Sequence, residues 1–153
     1  MTLSVRSWRQ LAAAILISAT AVAASDTKPA VNKGAGGLAI RGYDPVAYVA
    51  GGAAARGNPK YEYRWNDAVW QFTSAANRAR FIKDPERYAP QFGGYCAWAI
   101  SRGYTADADP EAWRIVDGRL YLIYSKAVQR RWEQDVEGNI VKARANWPAV
   151  LDK

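Results

Sequence analysis

The chain has 153 residues, with 21 Lys and Arg against 14 Asp and Glu, a single Cys and no His. That length suits one domain with a tail, and a composition half hydrophobic and 12% aromatic supplies the bulk of a real core rather than a disordered chain. The lack of His excludes a Ser-His-Asp triad, a Cys-His dyad and an HExxH zinc helix. One Cys excludes an intrachain disulfide and every multi-Cys zinc or iron–sulfur cage within one chain.

Residues 1–23 read as a cleaved secretory signal. Arg6 and Arg9 give a basic start without acids, residues 11–22 (LAAAILISATAV) are apolar but short for a bilayer, and Ala21-Val22-Ala23 is a small-x-small cleavage pattern. The expected location is therefore periplasmic or secreted, with no stable membrane span after cleavage. Cleavage lowers the net charge from +7 to +5, because two Arg go and no acid does. No Lys/Arg run or basic helix face suggests a nucleic-acid partner. Residues 24–37 are small, polar and Gly-rich, which predicts a flexible lead, and a single domain follows over 38–153.

In the domain, Asp44-Pro45 predicts a helix start, Asp as N-cap and Pro at the first helical position, with Gly51-Gly52 ending it. Residues 61–72 predict a hairpin turning at Asn66-Asp67. Tyr61, Tyr63 and Trp65 alternate with Glu62 and Arg64, and Ala68, Trp70 and Phe72 alternate on the return strand. Ser74 predicts the cap of a helix running to about Lys83, with Ala75, Ala79 and Ile82 near one face and Phe81 beside them. Asp84-Pro85 stops that helix. Residues 93–100 read as a buried short helix after a glycine turn, and 101–111 as a polar loop. A second hairpin spans 113–124 around Asp117-Gly118, with Leu120, Leu122 and Tyr124 on one face and Tyr121 and Ile123 on the other. Ser125 predicts a helix with Val128, Trp132 and Val136 in one stripe, ended by Gly138. A last helix carries Ile140, Ala143 and Trp147. The sum is an α+β fold: a small antiparallel sheet from two hairpins covered by several short helices.

Asp44-Pro45-Val46, Trp70-Gln71-Phe72-Thr73-Ser74, Phe81, Asp84-Pro85 and Tyr88 together resemble the YHS domain family, with its core over residues 40–100 and flanks similar to the exported, stand-alone branch. The resemblance implies a small α+β module. Many family members are linked to heavy-metal handling, as appendages of copper transporters or of metal-dependent oxygenases, through Cys ligands near the Asp-Pro-Val and Phe positions. Here Ala47, Thr73 and Asn77 stand at those places. Such a set cannot hold Cu(I) or Zn(II), which want thiolate or imidazole.

Four groups of side chains are candidates for specific chemistry. Cys96, framed by Gly93-Gly94 and flanked by Tyr95 and Trp98, is either a metal-ligating or redox thiol or a small buried hydrophobe. Tyr43 and Asp44 either add a carboxylate to a pocket beside Cys96 or serve as a helix cap. Asp107, Asp109 and Glu111 either bind Ca²⁺ or form a solvated loop. The aromatics Tyr61, Tyr63, Trp65, Trp70, Trp98, Trp113, Trp132 and Trp147 either fill the core or line a groove for a sugar or an aromatic ligand. The expectation drawn from these is a non-catalytic exported YHS-type binding module. It would take a metal ion, with copper the candidate, or a small molecule near Cys96 with Tyr43, Asp44, Tyr95 and Trp98. The alternatives are an envelope protein that docks a partner through exposed aromatics, and a thiol enzyme using Cys96, for which only Asp, Glu, Lys or Tyr remain as base.

Overall fold

A computed structural model describes residues 27–153, so the segment read as a secretory signal lies outside the described residues. The architecture is α+β, as the sequence predicts. Strands β1 (Asn58–Trp65) and β2 (Ala68–Phe72) form one antiparallel hairpin, and β3 (Asp109–Val116) and β4 (Arg119–Ile123) form another. The two hairpins do not join into the single sheet expected; each is its own two-stranded sheet. The helices are α1 (Pro45–Gly51), α2 (Ala75–Lys83), α3 (Pro85–Tyr88), α4 (Ala97–Ser101), α5 (Lys126–Trp132) and α6 (Val136–Asn146), with 3-10 turns between several of them. No helix among the described residues is long and apolar enough to cross a membrane.

The turns form where the sequence places them. Asn66, Asp67, Asp117 and Gly118 all have positive φ, the geometry that a two-residue hairpin turn demands. Pairing then sets Tyr63 opposite Trp70 and Trp113 opposite Leu122, each ladder with one irregularity near its open end. Ser74 and Ser125 cap α2 and α5 by accepting from Asn77 N and Val128 N, and Asp84 both ends α2 and caps α3.

Strand β4 divides the core. Leu120 and Leu122 face a cluster that includes Val46, Tyr48, Trp70, Phe72 and Phe81, while Tyr121 and Ile123 face one that includes Cys96, Ile100, Trp132, Ala143 and Val150. All four are at most 1% exposed, so both faces of this strand are interior. Phe81 sits 5.1 Å from Trp70 and 5.2 Å from Phe72 by ring centroid. Such rings contribute roughly 2–3 kcal/mol each by burial, which a domain this small needs.

Three local expectations are corrected. The inner face of α2 is Phe81 alone; Ala75, Ala79 and Ile82 are exposed, because nothing packs over that side. Gly138 does not end a helix but lies in the first turn of α6, where Asp135 Oδ1 accepts from its N–H at 2.9 Å. The chain breaks instead at Glu133–Asp135, so Trp132 and Val136 belong to different helices. Ordered packing also begins ahead of Leu38: Val31 is 4% exposed, Lys28 N donates to Leu151 O and Asn32 N donates to Gly93 O.

Candidate functional site

Asp44 is fully buried, and its carboxylate is shared between five donors. Oδ1 accepts from Val46 N at 2.8 Å and Ala47 N at 3.3 Å, the ordinary cap of α1. Oδ2 accepts from Thr73 N, Thr73 Oγ1 and Asn77 Nδ2, each at 2.8 Å. Positions 47, 73 and 77, where the family resemblance leads one to look for Cys, therefore do converge in space. They converge on a carboxylate rather than on an ion. The donors around it are neutral amides and a hydroxyl, and its lone pairs are spent, so this set does not fit a soft metal. Asp44 is a cap, and also a tie that fastens the start of α1 to the β2–α2 junction.

Cys96 sits apart from Asp44, in the other core cluster. It is 1% exposed, and its Sγ accepts from Tyr124 N at 3.2 Å. Burial pushes the thiol pKa up, against a smaller opposing effect from nearby backbone N–H groups. A raised pKa keeps it a thiol at neutral pH, the form that neither attacks nor ligates well. The expected grouping of Tyr43, Asp44, Tyr95, Cys96 and Trp98 does not form. The Tyr95 hydroxyl donates to Pro29 O at 2.9 Å, which pins the lead segment, and the Arg102 guanidinium covers the Trp98 ring at 4.1 Å. The Tyr43 hydroxyl donates to Glu111 Oε1 at 3.0 Å, while the Arg56 guanidinium lies 5.1 Å from its ring centre. That hydrogen bond to a carboxylate is the first cause of a raised Tyr43 pKa.

The acids of the 101–111 segment do not gather either. Asp109 Oδ1 accepts from Glu111 N in a local turn, Asp107 is exposed, and Asp109 already begins β3. Among the described residues no three His, Cys, Asp or Glu side chains are placed to hold an ion. The most exposed large apolar side chains, Ile82, Tyr104, Tyr124 and Val141, come from four separate stretches of chain.

The aromatics divide differently from any one expectation. Trp70 and Trp132 are core, at most 1% exposed. Trp65, Trp70 and Trp147 come together with Phe92 in a cleft of about 500 Å³. Its lining rings stand in two pairs: Trp65 lies 5.9 Å from Trp70, and Trp147 lies 6.0 Å from the buried Phe92. Ala30 and Val31 of the lead close one side, and Arg119, Arg144 and Glu86 stand among its lining groups. The Trp70 indole N–H is committed to Trp65 O at 3.0 Å. Arg119 Nη1 donates to the Glu86 backbone O at 3.2 Å. Neither arginine is in an ion pair among the described residues. Sequence reading picked out three of these tryptophans but not Phe92, Arg119 or Arg144. Arg119 follows the Asp117-Gly118 turn and Arg144 precedes Trp147 by one helical turn, yet neither spacing says that the two arginines line one cleft. No protein-family model matches the chain, and no curated protein or solved structure matches it.

Proposed function

We propose that this protein is a non-catalytic, exported binding module of the YHS type, and that its ligand is a small organic molecule seated in the aromatic cleft. The convergence of positions 47, 73 and 77 on Asp44 supports the family resemblance, since these are the places the resemblance pairs. The cleft itself carries the functional reading. Its volume falls in the range of roughly 300–1,000 Å³ common for small-molecule sites, and it combines apolar walls with a few polar groups. Cys96, by contrast, is sealed, and Asp44 is saturated, so neither offers a ligand an open coordination position. The metal version near Cys96 is therefore set aside in favour of the cleft.

The test is two-dimensional ¹H–¹⁵N NMR of the purified chain with 2-naphthamide and 2-naphthoate as probes. Saturable shifts of the Trp65 and Trp147 indole N–H signals, with Trp132 and the Cys96 amide unmoved, support the reading. Shifts confined to other regions, or none up to millimolar probe, overturn it.

A further inference from the structure

Resting on the cleft reading, we propose that the site selects a flat aromatic anion, its ring against the partly exposed Trp65 and Trp147 and its acidic group toward Arg144 and Arg119. Two observations carry this. The first is the composition of the walls. Trp65 and Trp147 line the cleft and are only partly buried, with the buried Phe92 behind Trp147, so a planar ligand can replace water on the two tryptophans. A saturated ring of similar area lacks the quadrupole that makes such stacking directional.

The second observation is charge. Arg119 and Arg144 come from different elements, the start of β4 and the last turn of α6, and both line the cleft. Among the described residues the ion pairs, Lys33 with Asp67 and Arg114 with Glu133, involve no group that lines the cleft. Arg144 makes no ion pair or hydrogen bond among the described residues, and Arg119 spends one N–H on a backbone carbonyl. Glu86 is the one carboxylate that lines the cleft, and it too is outside any ion pair, so the lining carries one net positive charge. Guanidinium groups recognise carboxylates by a planar, paired hydrogen-bond geometry that an amide cannot return. Both arginines are exposed, so water and salt weaken the attraction, and the preference is one of selectivity rather than of great affinity.

The experiment compares 2-naphthoate with 2-naphthamide, which has the same ring without the charge, and with cyclohexanecarboxylate, which has the charge without the aromatic ring. Binding is read by titration calorimetry and by the indole N–H shifts. Wild type should bind naphthoate about tenfold more tightly than either comparison compound, one power of ten being about 1.4 kcal/mol. The preference over the amide should shrink to about twofold in Arg144→Gln or Arg119→Gln, and fall as salt rises from 20 to 300 mM. Glu86→Gln should strengthen it. All three changes are at exposed positions, and unchanged melting curves verify the fold. Equal binding of naphthoate and naphthamide at the cleft overturns the anion inference while leaving the cleft reading intact. Equal binding of naphthoate and cyclohexanecarboxylate overturns the aromatic half. A preference that survives both Arg variants overturns the assignment to these arginines. Failure of all three compounds to move the Trp65 and Trp147 signals overturns both proposals together.

Discussion

Replacing Asp44 by Ala should be among the most damaging single changes in this chain. The carboxylate is fully buried and holds five donors, two from the first turn of α1 and three from the β2–α2 junction. Loss of the cap alone costs about 1 kcal/mol. The Thr73 and Asn77 side chains lie nearer the surface, so water can satisfy part of what they lose. Val46 N is buried, and stranding a buried donor costs roughly 1–3 kcal/mol. Val46 N is one of the cap's own donors, so its cost replaces the cap figure, and with one further charge-assisted bond to Thr73 N at about 1.5 kcal/mol the total is about 2.5–4.5 kcal/mol. Asp44→Asn keeps one acceptor oxygen, which can serve the helix cap or the Thr73–Asn77 side but not both, so its loss should be about half as large. In a domain of this size these values correspond to melting points lower by roughly 10–20 °C and 5–10 °C. The assay is urea unfolding followed by tryptophan fluorescence, with equal m-values required for the comparison. If Asp44→Ala unfolds within 1 kcal/mol of wild type, the carboxylate is not the tie described above. If Asn costs as much as Ala, the two-sided geometry is wrong.

Gly93 has a φ of +61°, and a Cβ there would lie 1.9 Å from Ala30 O. Gly93→Ala should therefore cost roughly 2–3 kcal/mol and release residues 28–33; hydrogen exchange at Asn32 N reads the release, and unchanged protection there refutes it. In an ordinary helix Gly→Ala stabilises by about 1 kcal/mol, but a Cβ on Gly138 would meet Asp135 Oδ2 at 2.2 Å and push the cap aside. Gly138→Ala should then give no gain in thermal stability, and a gain near 1 kcal/mol would show that the cap tolerates the methyl. Burial raises the folded-state pKa of Cys96 above its ordinary 9.0 and that of Tyr95 above 10.0. The unfolded chain releases these protons first, so stability is whole below about pH 9 and declines as the pH rises beyond it. Urea midpoints at pH 8, 9.5 and 10.5 measure this, and Cys96→Ala should flatten the first part of the fall. At pH 8 the Cys96 thiol should resist Ellman's reagent until the chain unfolds, and wild type and Cys96→Ser should bind Cu(I), Cu(II) and Zn(II) equally weakly; fast native labelling or a wild-type excess would restore the thiol as a site.

The elements were readable where one local signal decides the backbone. Asp44-Pro45, Ser74, Asp117-Gly118 and Ser125 each fix a turn or cap within four residues, and each stands where it was expected. The failures share a different character. A glycine at 138 is equally good just past one helix or just inside the next, and only Asp135 reaching back to its N–H decides. The apolar face of α2 depends on what covers it, and only Phe81 meets a partner. The small, polar residues 27–37 carry almost no local signal for order; their anchors are Leu151 and Gly93, far along the chain. The surroundings of Cys96 were illegible for the same reason. Reasoning from residue type singled out a lone sulfur, but reactivity depends on exposure and neighbours, and the sulfur is sealed. The cleft takes pieces from five separate stretches between Ala30 and Leu151, so no window of sequence contains it.

The Asp44 cluster and the cleft are separate parts of the described fold. The place where the family resemblance suggests soft ligands has become mechanical: Thr73 and Asn77 hold Asp44, and Asp44 holds α1 to the β2–α2 junction. The cleft lies elsewhere, and backbone and side-chain hydrogen bonds tie the stretches that line it. Lys28 N to Leu151 O, Asn32 N to Gly93 O and the Arg119 contact with Glu86 O span it. A ligand seated among Trp65, Phe92 and Trp147 would add contacts between the first hairpin, the lead and the C-terminal turn at once. Because it would bind only the folded arrangement, it would stabilise the whole domain by about 2.7 kcal/mol at a hundred times its dissociation constant. The gain in hydrogen-exchange protection should be concentrated at Asn32 and Leu151 rather than around Asp44, whose surroundings are closed without it.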